Sequence, residues 1–236
     1  MKIIDSNYGS IPHLSTSKLT QQADKKIEWG QEDILTKKAR DWRDLVIVTE
    51  KIDGSNVGIV MQGNTYEPIT RSGYPVESSP YKQHHAFGDW VSRNWRIMPN
   101  LPPGWRICGE WCLQAHGTLY DLTGECPFVA FDIFDSNNKR IKFMDFYSIC
   151  SEAHMPMVPL LHIGQPISLK NAIKLLDKGH YGKPKQPEGV VYRVEKQGKV
   201  DFLAKWVRHD KEDGAYLPKK DTDEVEVWNK DAERYL

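Results

Sequence analysis

The chain has 236 residues, and its 32 basic and 32 acidic side chains balance to a net charge of zero. A content of 39% hydrophobic and 11% aromatic residues is enough for a sizeable core and excludes global disorder. The neutral balance excludes a uniformly basic nucleic-acid module, and no apolar run approaches the ~20 residues that span a bilayer.

Residues 1–12 lack an apolar secretory segment, which predicts a cytoplasmic protein. Four cysteines (Cys108, Cys112, Cys126, Cys150) are too few for a disulfide scaffold and are expected as reduced thiols. The β-branched runs 45–49 and 57–61 predict two strands, and Asp53-Gly54-Ser55-Asn56 between them predicts a hairpin turn. Phe87, Trp90, Val91 and Trp95 share a helical face. His84, His85 and His116 lack ligand spacing and are expected in loops. Strands are predicted at 105–111 and 128–134, the second closed by the turn-rich 135–138. A weaker helix is predicted at 144–153. The helix predicted from Ser168 to Lys178 has Ser168 as cap, Leu169, Ala172, Ile173 and Leu176 as stripe, and Gly179 at its end. The runs 189–194 and 201–207 flank 196–199 as a second hairpin. The stretch 181–220 carries ten basic and six acidic residues, a mild basic face read as solvated surface. The tail 221–236 is expected as an exposed helix or frayed end. Strands and helices interleave without a βαβ rhythm, so one α+β domain over 1–236 with largely antiparallel sheets flanked by helices is expected.

The sharpest local feature is Glu50-Lys51-Ile52-Asp53-Gly54-Ser55-Asn56. Side chains alternate along a strand, so Lys51 and Asp53 share a face, and Gly54 lets backbone approach a ligand closely. A partly desolvated lysine near other cations can act as a nucleophile. Further on stand Arg71, the triplet Gly109-Glu110-Trp111, the run 128–134 with Phe131, Glu188-Gly189-Val190-Val191, and Lys205-Trp206-Val207-Arg208. Cys108 and Cys112 flank Glu110 without the spacing of a zinc knuckle.

This ordered set, with Ser10-Ile11-Pro12-His13-Leu14 upstream, resembles the covalent nucleotidyltransferase superfamily, and within it the ATP-dependent RNA ligases that seal nicked duplex RNA. The resemblance implies an ATP-grasp-like ligase adenylation domain and an ATP-dependent RNA ligase that joins 3′-hydroxyl and 5′-phosphate ends. It implies Lys51 as the nucleophile that takes AMP from ATP, with Ile52 and Asp53 beside it at the nucleotide. Glu50 would sit at the adenine edge, Asn56 beside the phosphate and cation, and Arg71 on the phosphate and the RNA end. Glu110 would accept from the ribose hydroxyl, Phe131 would stack on adenine, Glu188 would direct a metal, and Lys205 would contact the α-phosphate. The implied cofactors are ATP and Mg2+ (or Mn2+); the implied partners are RNA ends and an end-healing kinase-phosphatase, in a bacterium or a phage-infected host. The usual second lysine of the last motif is missing: Leu203 or Val207 stands there, and Arg208 is the nearest replacement. The 28 residues after that motif predict no appended OB-fold. A guanylyl or other end-modifying nucleotidyltransferase, and a non-catalytic RNA-binding module, are the alternative readings.

Overall fold

The computed structural model describes residues 1–5, 7–19, 22–219 and 224–236. Two four-stranded antiparallel sheets dominate it. The strands are β1 (Asp44–Lys51), β2 (Ser55–Gln62), β3 (Thr65–Thr70), β4 (Arg106–Trp111), β5 (Phe128–Phe134), β6 (Leu160–Gly164), β7 (Gly189–Lys196) and β8 (Lys199–Val207). One sheet runs β6-β1-β7-β8 and the other β3-β2-β4-β5. The helices are α1 (Gln31–Thr36), α2 (Lys82–Arg93), α3 (Phe143–Glu152) and α4 (Leu169–Leu176). The α+β class and the antiparallel sheets are as expected. No helix among the described residues is long and apolar enough to cross a membrane.

The hairpin expected at 53–56 does not form. β1 and β2 belong to different sheets, and residues 52–54 carry the chain from one to the other. A two-residue hairpin needs left-handed backbone at its turn, and no residue from 52 to 56 has positive φ. Gly54 serves close approach instead: a Cβ there would lie 2.8 Å from the Trp111 carbonyl oxygen. The second expected hairpin is present, and Gln197 (φ 53°) and Gly198 (φ 72°) supply the left-handed pair that turns β7 into β8.

The largest core lies against one face of the β3-β2-β4-β5 sheet, and a second core lies against the other sheet. Helix α2 packs Phe87 and Trp90 against Trp111 of β4 and Phe128 of β5, with ring centroids 5.3–5.7 Å apart across the elements. Trp95 lies beyond the helix and is exposed. Helix α4 begins where Ser168 Oγ accepts from the Asn171 backbone N–H at 3.3 Å, and it buries Ala172 and Leu176 on the other sheet while Ile173 faces solvent.

Two expectations are corrected. His84 and His85 sit in α2, not in a loop, and His84 is buried between Ser55 Oγ (2.8 Å) and Ser79 Oγ (2.6 Å). Its pKa falls to about 4 because burial and the neighbouring His116 and His85 oppose the charged form. The tail ends in a short, mostly exposed 3-10 helix, Ala232–Tyr235, but it is tied to the body rather than frayed over 224–236. Asn229 is buried, donates to the Cys112 carbonyl at 2.7 Å and accepts from the Tyr120 N–H at 2.8 Å, while Ala232 enters the core. Residues 221–223 of the tail and the basic-stretch Lys220 lie outside the described residues.

Candidate functional site

The site forms where the two sheets meet, because β1 delivers its last residue into the passage between them. Lys51 ends β1 opposite Gly189 of β7, so Glu188, one residue upstream, arrives beside it. Lys205 of β8 is paired with Val191 of β7. From the other sheet, Asn56 of β2 lies opposite Glu110 of β4, and β5 contributes Phe131.

Two concave spaces share Lys51, Asn56, Glu110 and Lys205 as common walls. The first is largely apolar and adds Glu50, Ile52 and Phe131. The second is an open cleft and adds Asp53, Arg71 and Glu188. Ten of the residues named from the sequence therefore converge. Arg208 lines neither space. Its Nε donates to the Pro187 carbonyl at 3.1 Å and its Nη1 lies 2.8 Å from Asp210 Oδ1, while its backbone N–H donates to the Glu188 carbonyl at 3.1 Å. It braces the loop that presents Glu188, and Leu203 lies beside Lys205 in the apolar space.

A chain of charges runs through the cleft. Lys51 Nζ donates to Glu188 Oε2 at 2.5 Å. Glu188 Oε1 accepts from Lys211 Nζ at 2.6 Å, and the same ammonium lies 2.8 Å from Asp53 Oδ1. Asp53 Oδ2 accepts from the Gly117 N–H at 2.9 Å. Burial works to lower the Lys51 pKa, but Glu188, Glu110 and Asp53 outweigh it and hold the ammonium above its ordinary value. Burial pushes Asp53 up, but Lys211 and Lys51 more than offset this and its pKa ends lowered. Glu110 is pushed up to about 8, chiefly by burial and further by Glu188 and Asp53, with Lys51 opposing. Burial and Lys51 lower Lys205.

Three buried acceptors in these walls, Glu50 Oε1, Asn56 Oδ1 and Glu110 Oε2, have no hydrogen-bond partner among the described residues. Unpaired buried acceptors are costly, so a polar ligand that donates to them suits the space. Phe131 offers a flat apolar face there and is held edge-on by Tyr8, ring centroids 5.0 Å apart. Arg71 Nε donates to the Tyr8 carbonyl at 3.1 Å, which fixes the guanidinium at the cleft wall. The arrangement can hold a purine nucleoside in the apolar space and polyanionic phosphate in the cleft, with the Lys51 amine at the junction.

The donor set does not suit a resident divalent cation. Both oxygens of Glu188 are engaged by ammonium groups, and among the described residues no cluster of three or more His, Cys, Asp or Glu side chains is placed to hold a metal. All four cysteines are free.

Sequence reasoning missed Lys211, which is wholly buried and was counted only within the basic stretch. It also missed Arg193 and Asp132, which line the apolar space beside Val191 of the Glu188-Gly189-Val190-Val191 motif. His116 sits in a loop, as its lack of ligand spacing suggests, and that loop brings it to the cleft, 3.4 Å from the Gln83 side chain. His13 was quoted only as part of a motif. It is fully buried, with Nδ1 2.7 Å from Ser17 Oγ and Nε2 3.2 Å from Asp24.

A family model described as RNA ligase matches residues 44–207. No curated protein matches the chain. Among solved structures, an archaeal ATP-dependent RNA ligase is 17% identical, with a TM-score of 0.51 over 85% of this chain and 48% of its own. A putative ATP-dependent DNA ligase from Aquifex aeolicus is 18% identical, with a TM-score of 0.51 over 85% and 49%. An RNA ligase variant from Naegleria gruberi, with ATP and manganese, is 15% identical, with a TM-score of 0.52 over 85% and 57%. The chain spans about half the length of these structures. At these identities the likeness establishes a shared fold, the nucleotidyltransferase fold of the ligases.

Proposed function

Since the chain belongs to the RNA ligase family, we propose that it is an ATP-dependent RNA ligase working through a covalent lysyl-AMP intermediate. The deprotonated Lys51 amine attacks the α-phosphorus of ATP. The ammonium proton that Glu188, Glu110 and Asp53 hold on Lys51 is shed to solvent first; then an N–P bond forms, the bond to the bridging oxygen breaks, pyrophosphate leaves, and a second Nζ proton is lost to solvent. AMP then passes to the 5′-phosphate of an RNA end. A 3′-hydroxyl attacks that activated phosphate and releases AMP.

The residues take roles their chemistry suits. Phe131 is the platform for adenine, Glu50 a buried acceptor at its edge, and Glu110 an acceptor for a ribose hydroxyl. Phosphoryl transfer is mostly positioning and charge stabilisation, and Arg71 and Lys205 supply fixed cations, with Asn56 beside them. Magnesium, or manganese, arrives as part of the ATP substrate, held by its phosphates. The presence of ATP and manganese in the Naegleria ligase supports this choice of nucleotide and cation. RNA ends are the proposed partner.

The observation that carries the reading is the position of Lys51, whose amine stands where the apolar space opens into the polar cleft. The test offers 5′-phosphorylated RNA, DNA and hybrid nicks, with open ends alongside, plus ATP or GTP and magnesium. Sealing of RNA with ATP is the expected result. Transfer of GMP to the protein, or RNA binding with no sealing of any end, overturns the proposal.

A further inference from the structure

Lys211 stands outside every motif that the sequence offers, yet its side chain is wholly buried. A buried ammonium survives only when paired, and this one is paired twice, with Glu188 Oε1 at 2.6 Å and Asp53 Oδ1 at 2.8 Å. The two carboxylates come from distant segments, the passage between the sheets and the start of β7. The lysine is also gripped along its length. A Cβ added at Gly117 would lie 2.6 Å from Lys211 Cε, and the Lys211 carbonyl accepts from Lys18 Nζ. Two carboxylates converging on one point are what a hard divalent cation seeks, and here a tethered ammonium fills that point.

We propose that Lys211 is a positioning residue whose ammonium occupies the seat between Asp53 and Glu188, barring divalent cations from it in the nucleotide-free protein. It leaves Glu188 only one oxygen to offer, Oε2, and only when Lys51 turns to a nucleotide; this last step rests on the ligase reading. The cation therefore enters with ATP rather than ahead of it.

Manganese titration of the nucleotide-free, full-length protein, with free Mn2+ followed by electron paramagnetic resonance, tests the proposal. Wild type and Glu188→Gln are expected to bind Mn2+ equally weakly. Lys211→Met is expected to gain a site about tenfold tighter or more, which Glu188→Gln removes again in the double variant. A lysine needed only for packing gives no such gained site. A wild-type site that Glu188→Gln abolishes overturns the proposal, and so does a folded Lys211→Met protein that gains no site. If Lys211→Met fails to fold, Lys211→Gln replaces it, and the comparison of wild type with Glu188→Gln still decides whether the seat is closed. The titration needs no turnover. Absence of an adenylyl adduct on Lys51 refutes the ligase reading while leaving this result to stand or fall alone.

Discussion

Replacing Glu110 by glutamine removes an ionisation while keeping shape and hydrogen-bonding capacity. Burial and the carboxylates of Glu188 and Asp53 raise its pKa from 4.5 to about 8. Between those two pH values the folded protein holds a proton that the unfolded chain has released. Stability from this group is therefore full below pH 4.5, declines as pH rises, and is lost above about 8. Linkage sets the slope at ~1.4 kcal/mol per pH unit, so a shift from 4.5 to about 8 amounts to about 5 kcal/mol across the window. Glutamine does not titrate. Urea unfolding of both proteins at several pH values inside the window isolates the effect, because every other group is common to the two. The stability of Glu110→Gln relative to wild type is expected to climb steadily towards pH 8 and then level off. A constant difference across the window refutes the assignment of a neutral, buried Glu110.

Phe131→Ala removes the apolar face of the proposed purine space; AMP affinity measured by calorimetry is expected to fall by about 1–3 kcal/mol, the usual worth of an aromatic stack on a base, and unchanged affinity removes Phe131 from the nucleotide. Ser168→Ala deletes the acceptor that caps α4 and is expected to cost about 1 kcal/mol in urea unfolding, with no change in AMP affinity; a change in affinity would mean that α4 is coupled to the site.

What the sequence makes legible is local. The β7–β8 hairpin is readable because Gln197 and Gly198 carry the turn chemistry themselves. The helix α4 is readable from its cap and its apolar spacing. The β1–β2 hairpin misleads because each strand's partner is far away in sequence: Lys51 lies opposite Gly189, and Asn56 opposite Glu110. Strand β3 was not anticipated, since Pro68 interrupts it. Proline is tolerated there because β3 is a sheet edge, with no ladder needed on its outer side. Of the site, the residues on short motifs converge as the family likeness implies. Lys211 and His116 carry no local signal, because their place is created only when the segment after β8 folds across the cleft and Tyr216 donates to the His116 carbonyl at 2.7 Å. Arg208 shows the reverse case: adjacency to a motif suggested a phosphate contact, while its partners are the Pro187 carbonyl and Asp210.

In the proposed reaction the Lys51 amine is the nucleophile. Incubation with ATP and magnesium, followed by intact-mass measurement and peptide mapping, addresses it directly. The predicted result is a gain of one adenylyl group located on Lys51, and no gain in a folded Lys51→Ala variant. An adduct that persists in that variant, or one that maps to another residue, contradicts the account.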